Sequence, residues 1–263
     1  MKTIMNTDHS PHTPICLRTI VKTIIIPLFF VVLCHAQVNK TVPPNMVLVE
    51  GGTFQMGNDH EYVMEKPVHR VSIKSFYMDK YEVTVKEYRH FCAETKRAMP
   101  KASPRGWQDN NPISDVSWND AAAYAAWAGK RLPTEAAWEF AARGGIHSKA
   151  YTYSGSNKID EAAWYSENAR NKLHTVGTKI PNELGLFDMT GNALEWCADF
   201  YNDDYYSVPP QDNPQGPRTG SDRVLRGGSY VGDLDDCRIT NRFSHNPEVH
   251  FLCSGFRCAM DKE

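Results

Sequence analysis

An α+β domain with little regular secondary structure is what this sequence predicts, on three observations. Short strand-like segments come first, two around a glycine turn at Met46–Gly57 and one of alternating polar and apolar residues at His69–Met78. Three stretches with helical spacing follow, each behind a capping residue. Beyond residue 145, Gly, Pro, Asn and Asp recur every few positions, so the second half reads as loops joined by short strands.

In order along the chain, Met46-Val47-Leu48-Val49-Glu50 and Thr53-Phe54-Gln55-Met56-Gly57 read as two strands around a Gly51-Gly52 turn. Residues 69–78 alternate as one half-buried strand. Val85–Thr95 is a helix, with Tyr88, Phe91 and Cys92 on one face and a capping box from Thr84 and Glu87. Trp118–Ala128 is the clearest helix: Ser117 caps it, Asp120 stands three residues on, and Gly129 stops it. A third follows Thr134, runs through Trp138, Phe140 and Ala141, and ends at Gly144-Gly145. A domain so rich in loops needs other means of order. Six tryptophans and many Tyr and Phe supply one, since each buries a large area; a bound metal would be another.

The N-terminus reads as a processing segment. Lys2, Arg18 and Lys22 precede the apolar run Thr23–Leu33, which is short for a bilayer span and interrupted by Pro27. A secretory signal peptide over residues 1–36, cleaved after Ala36, is the expectation, followed by a polar linker at 37–45 and one domain over 46–263. The protein is then exported: periplasmic, cell-envelope or secreted. Cys34 is the alternative, as a lipid-attachment residue that would bring the chain to a membrane, although the bulky Leu33 precedes it. The remaining chain carries 26 basic and 30 acidic residues, which argues against a nucleic-acid partner. It keeps Cys92, Cys197, Cys237, Cys253 and Cys258, an odd number, so at least one thiol is free or pairs with another chain.

No Gly-x-Ser-x-Gly, P-loop, His-Glu-x-x-His or Cys-x-x-Cys occurs. Two other segments carry candidate chemistry. Asp188 and Glu195 offer hard oxygens, and the carbonyls of Gly191 and Ala193 lie between them, a ligand type that suits calcium; the alternative is a capping Glu195 and a solvated Asp188. Near the C-terminus, Arg223-Val224-Leu225-Arg226-Gly227-Gly228-Ser229-Tyr230 leads to Cys237-Arg238 and then Gly255-Phe256-Arg257-Cys258. Asp233, Asp235 and Asp236 crowd Cys237 and would raise its pKa.

These segments, with Asp79-Lys80-Tyr81-Glu82-Val83-Thr84, Gly129-Lys130-Arg131-Leu132-Pro133-Thr134-Glu135 and Asn182–Trp196, resemble the formylglycine-generating (sulfatase-modifying factor) family over nearly all of residues 46–258. The resemblance implies a compact mixed fold similar to C-type lectins. It also implies a structural calcium site at Asp188, Gly191, Ala193 and Glu195, and a cleft at Ser229 and Cys237, the candidate catalytic residues. The family's enzymes oxidise a cysteine of a client protein with two copper-binding cysteines, three and eight residues after the serine of Gly-Gly-Ser. Here the second is Cys237, but the first falls on Gly232. Copper is therefore not expected. A non-oxidative binding or scaffolding module, with a protein or peptide client, is the leading expectation. The alternatives are a formylglycine-generating oxidase, in which Cys253 or Cys258 folds back to stand in for the missing thiol, and an enzyme of different chemistry in the same cleft.

Overall fold

The computed structural model describes residues 42–101, 106–207 and 211–262; the expected signal peptide and most of the linker lie outside them. Three helices form where the capping signals place them. Thr84 and Glu87 exchange hydrogen bonds at the start of α1 (Val85–Thr95), and Ser117 and Asp120 do so at α2 (Trp118–Trp127). The Thr134 hydroxyl accepts from the Ala137 amide at α3 (Glu135–Ala142). A fourth helix, α4 (Ile159–Ala162), is a single turn. Among the described residues no helix is long and apolar enough to cross a membrane.

The strands depart from the sequence reading in pairing more than in position. β1 (Met46–Val49) and β2 (Gly52–Met56) do not form a hairpin. β1 pairs antiparallel with β4 (Phe76–Asp79), and β2 with β3 (His69–Ile73), so the chain changes sheets at Gly51. The single strand expected over 69–78 is likewise two, parted at Lys74-Ser75. In β3 the alternation holds, with Val71 and Ile73 inward, whereas all of β4 is buried because it lies between β1 and β10 (Ala259–Asp261).

The longest strand, β5 (Leu194–Phe200), lies in the half that reads as loop. It is central in a four-stranded sheet that also holds β7 (Arg223–Arg226), β8 (Phe243–His245) and β9 (Ser254–Gly255), in the order β8-β7-β5-β9. β7 runs antiparallel to β5 and β9 parallel to it. The exit of β7 and the entries of β5 and β9 therefore share one end of the sheet. A two-residue strand, β6 (Gln211–Asp212), extends the sheet of β2 and β3.

Every residue of α3 is buried. Its apolar positions, with Trp138 wholly enclosed, pack into one core with Met56, Val71, Phe76 and Met78. A second core joins Tyr88 and Phe91 of α1 to Tyr124, Trp196, Leu225 and Phe256. Each fully buried side chain of this size contributes about 1.5–3 kcal/mol. Burial also takes in Glu135 and Glu139, which must then be paired. Arg226 supplies both partners, at 3.1 Å to Glu135 and 2.6 Å to Glu139. Arg242 grips Glu135 a second time, at 2.6 and 2.9 Å. Burial alone would raise both carboxyls, but Arg242 and Arg226 at Glu135, and Arg143 and Arg226 at Glu139, outweigh it and hold them below the usual carboxylate range.

Asp199 on β5 meets the opposite outcome. Its Oδ2 accepts the Glu135 amide at the start of α3, 2.8 Å away. Burial, followed by the Glu135 charge, raises its carboxyl to about 7 against the pull of Arg242; Cys197 and Arg223 are its other titratable neighbours. The folded state thus holds a proton on Asp199 that the unfolded chain releases near 3.8. Stability from this group is full at low pH and is lost as pH rises to about 7, by roughly 4 kcal/mol for a shift of this size. Asp199→Asn keeps the acceptor without the charge. Thermal melts should therefore show the variant above the parent at pH 8 and close to it at pH 4, and equal melting curves at both pH values would contradict the assignment.

Candidate functional site

The shared end of the four-stranded sheet gathers the segments that the sequence singles out. Asp188–Ala193 leads into β5, Gly227–Ser229 leaves β7, and Cys253 precedes β9. Backbone hydrogen bonds tie them: Gly191 N–H to Gly227 O at 2.7 Å, Tyr230 N–H to Asn192 O at 2.9 Å, and Leu194 N–H to Cys253 O at 2.8 Å.

The Gly-Gly-Ser turn is built for close approach. Gly228 has φ +71°, and a Cβ there would stand 2.8 Å from both Asp236 O and Cys237 Sγ. Ser229 and Cys237, the two candidate catalytic residues, come together, since the Cys237 sulfur lies against the turn at Gly228, the residue before the serine. Cys237 is fully enclosed, packed among Tyr153, Tyr165, Ala162 and Ala163. Burial first, then Asp236 and Asp233, pushes its thiol up to about 12. The aspartates make a closed acidic loop in which Asp233 Oδ1 accepts the amides of Asp235 and Asp236, and Asp236 Oδ2 accepts that of Asp233. At Gly232 a Cβ would lie 3.0 Å from Asp236 Cβ and 3.4 Å from the Ser229 nitrogen, so a side chain here would point into the same site.

The structure brings a second thiol to Ser229. Cys253 is buried, which raises its thiol, and the nearby Ser229 side chain pulls the other way. All five described cysteines are free and buried. Cys258, the other thiol considered as a stand-in, lies instead beside Asp79. Spacing gives no hint of Cys253, because sheet topology, with β9 laid parallel against β5, is what delivers it.

The candidate calcium residues lie at the other side of this junction. Asp188 is buried with φ +55°. Its Oδ2 accepts the Gly177 amide at 2.6 Å, and its Oδ1 has no partner. Glu195 is fully engaged. Oε1 accepts Arg257 Nε and Nη2 at 3.0 and 2.7 Å, and Oε2 accepts Arg257 Nε and Trp138 Nε1, both at 2.8 Å. Glu82, which the sequence reading left without a role, completes the group by accepting Asn192 Nδ2 at 2.7 Å and the Ala193 amide at 2.8 Å. Burial raises Glu82 well above the ordinary range, with Asp188 and Glu195 adding to it against Arg257. Burial likewise raises Asp188, to about 6.

Beside the Glu195–Arg257 pair, burial thus favours the neutral forms of Glu82 and Asp188; a hard cation would draw them to carboxylates, and the unpartnered Asp188 oxygen is where it would fit. Glu195 does not fit as a ligand while Arg257 and Trp138 hold both its oxygens.

The sequence profile of the sulfatase-modifying factor enzyme 1-like domain matches residues 34–262. The chain belongs to this family. It is 33% identical over 281 residues to the formylglycine-generating enzyme of Streptomyces coelicolor, covering 82% of this chain and 89% of that one. It is 32% identical over 278 residues to the inactive Cα-formylglycine-generating enzyme 2 of Bos taurus, covering 82% and 87%. Similarity to the serine/threonine-protein kinase pkn1 of Chlamydia pneumoniae is 35% over 237 residues, but this chain spans only 38% of that protein's length. Among solved structures, the Treponema denticola variable protein 1 superposes with a TM-score of 0.70 at 28% identity, covering 82% of this chain and 95% of that one. PvdO from Pseudomonas aeruginosa gives 0.71 at 28%, covering 82% and 94%. The mixed, loop-rich α+β fold expected for the family is the fold observed.

Gly228→Ala tests how closely the family's Gly-Gly-Ser turn is fitted. A methyl group that strikes backbone and sulfur at a left-handed φ should lower stability by about 2 kcal/mol or more. A urea midpoint matching that of the parent protein would refute this packing.

Proposed function

We propose that this domain is a non-oxidative binding or scaffolding module of the formylglycine-generating-enzyme-like family, and that its target is a protein or peptide. The observation that carries this reading is Gly232, which stands where the family's first cysteine belongs, opposite a Cys237 that is enclosed and held as a thiol. A thiol of this kind is a poor nucleophile. The bovine relative whose name calls it inactive gives the reading a precedent within the family. The competing reading is a formylglycine-generating oxidase, favoured by the placement of Cys253 at the sheet end from which Ser229 emerges. Incubation with a Cys-x-Pro-x-Arg peptide and copper, followed by mass spectrometry, separates the two. The peptide cysteine should remain unchanged; an aldehyde product that disappears in Cys237→Ser would establish the oxidase instead.

Export belongs to the same proposal: residues 1–36 are removed as a signal peptide, so the N-terminus of protein recovered outside the cytoplasm should begin at Gln37. Calcium is proposed as a structural ion, held by Asp188 with the carbonyls of Gly191 and Ala193, its charge offsetting that of Glu82 and Glu195. Glu195 would join it only by releasing Arg257. At about 100 times its dissociation constant such an ion adds about 2.7 kcal/mol, a rise of roughly 5–10 °C in Tm for a domain of this size. Calcium should give this shift in the parent and not in Asp188→Ala. Melting that is indifferent to calcium and to chelator would remove the ion from the account.

A further inference from the structure

Arg226, Arg238, Arg242 and Arg257 each pair with a buried carboxylate. Arg223 has no carboxylate partner among the described residues. It opens β7, at the opposite end of that strand from Ser229. Its guanidinium carbon lies between two rings, 3.5 Å from the centre of Phe200 and 3.8 Å from that of Trp118. Stacked rings cover the faces of a guanidinium and leave its edge of N–H donors to find other partners. Nη1 donates to Ala198 O at 2.7 Å. Nε is enclosed with no partner. Nη2 has no partner among the described residues either, but it is not enclosed, so it faces solvent. Burial pushes this guanidinium below its ordinary pKa against the pull of Asp199, which leaves a half-buried cation short of counter-charge.

Sheet register sets a second donor beside the first. Arg223 stands directly opposite Phe200 on β5 and His245 on β8, so the three side chains share one face of the sheet. Leu225 and Phe243, the next pair on that face, belong to the second core, which puts Arg223 and His245 at its rim. The His245 ring accepts the Asn246 amide at Nδ1, 2.9 Å away. Its proton is therefore on Nε2, and no described residue accepts it. The ring of Phe251, 40% exposed, lies 5.8 Å from that of His245. Glu248, three residues on from His245, is held by Asn119 Nδ2 at 2.9 Å.

We propose that Arg223 and His245 form a binding site for a carboxylate carried on an apolar group, with Arg223 Nη2 and His245 Nε2 as donors. One fixed positive charge with two N–H groups matches the two oxygens and single charge of a carboxylate. The rings of Trp118 and Phe251 suit an apolar body behind that charge. The site lies apart from the Ser229 turn, so it goes beyond the scaffold reading and stands whether or not the domain oxidises a client.

Calorimetric titration of the full chain with N-acetylphenylalanine should show one site. The corresponding amide keeps the ring but not the charge, and should bind at least roughly 10-fold more weakly. Arg223→Gln and His245→Ala should each weaken binding of the acid by a similar factor, whereas Arg70→Gln, at an exposed position on β3, should leave it unchanged. His245 lies at the rim, so its variant tests the site even if Arg223→Gln fails to fold. In the unmutated protein, the His245 Nε2 resonance should shift on addition of the acid. No binding at millimolar acid, equal binding of acid and amide, or unchanged affinity in a folded His245→Ala would each overturn the proposal. Tighter binding of inorganic phosphate than of the acid would overturn its assignment to a carboxylate.

Discussion

Pairing between buried guanidinium groups and carboxylates is the constraint on which the rest of this domain depends. Arg226 is the last residue of β7 and the one before Gly227-Gly228-Ser229. It is fully enclosed, spans Glu135 and Glu139 of α3, and donates to Ile239 O as well. The turn that presents Ser229 is thereby bolted to the most buried helix of the domain. The same device repeats at each site segment. Arg238, next to Cys237, forks onto Glu65 at 2.9 Å through both terminal nitrogens. Arg257, four residues after Cys253, forks onto Glu195. Such pairs give little net stability over an apolar replacement, because desolvation cancels much of the attraction. Their consequence is positional: a carboxylate in the interior accepts only a partner with fitting geometry, so loops with few backbone ladders are still fixed in place.

This explains which features the sequence discloses. Helix boundaries are local, set by Thr84 with Glu87, Ser117 with Asp120, and Thr134, so they can be read within a few residues. Strand pairing is not local. The glycines at 51–52 look like a hairpin turn, yet β1 and β2 belong to different sheets because β3 and β4 arrive to separate them. β5 carries no alternation, since Leu194 through Cys197 are all buried, and a continuous buried run has no period to detect.

The site divides along the same line. The Gly-Gly-Ser turn and Cys237 are joined by short spacing, and their meeting could be read directly. Asp188 and Glu195 are likewise close in sequence, but the partner of Glu195 is 62 residues away at Arg257. A glutamate read as a free hard ligand is therefore already occupied by a guanidinium. Glu82 and Cys253 enter only through tertiary contacts, at separations of 110 residues from Asn192 and 24 from Ser229. Neither distance corresponds to a repeat that a sequence pattern reveals.

The electrostatics of the two halves of the site point the same way. Around Cys237 there are Asp233, Asp235 and Asp236, and the nearest fixed cation, Arg238, is turned toward Glu65. An environment with that sign disfavours a thiolate acting as a free nucleophile, which requires a neighbouring positive charge or helix N-terminus to lower its pKa. Around Asp188 the paired charges are those of Glu195 and Arg257, while burial raises Glu82 and Asp188 toward their neutral forms. The Ser229–Cys237 turn therefore sits in surroundings that keep its thiol neutral, as the non-oxidative reading requires.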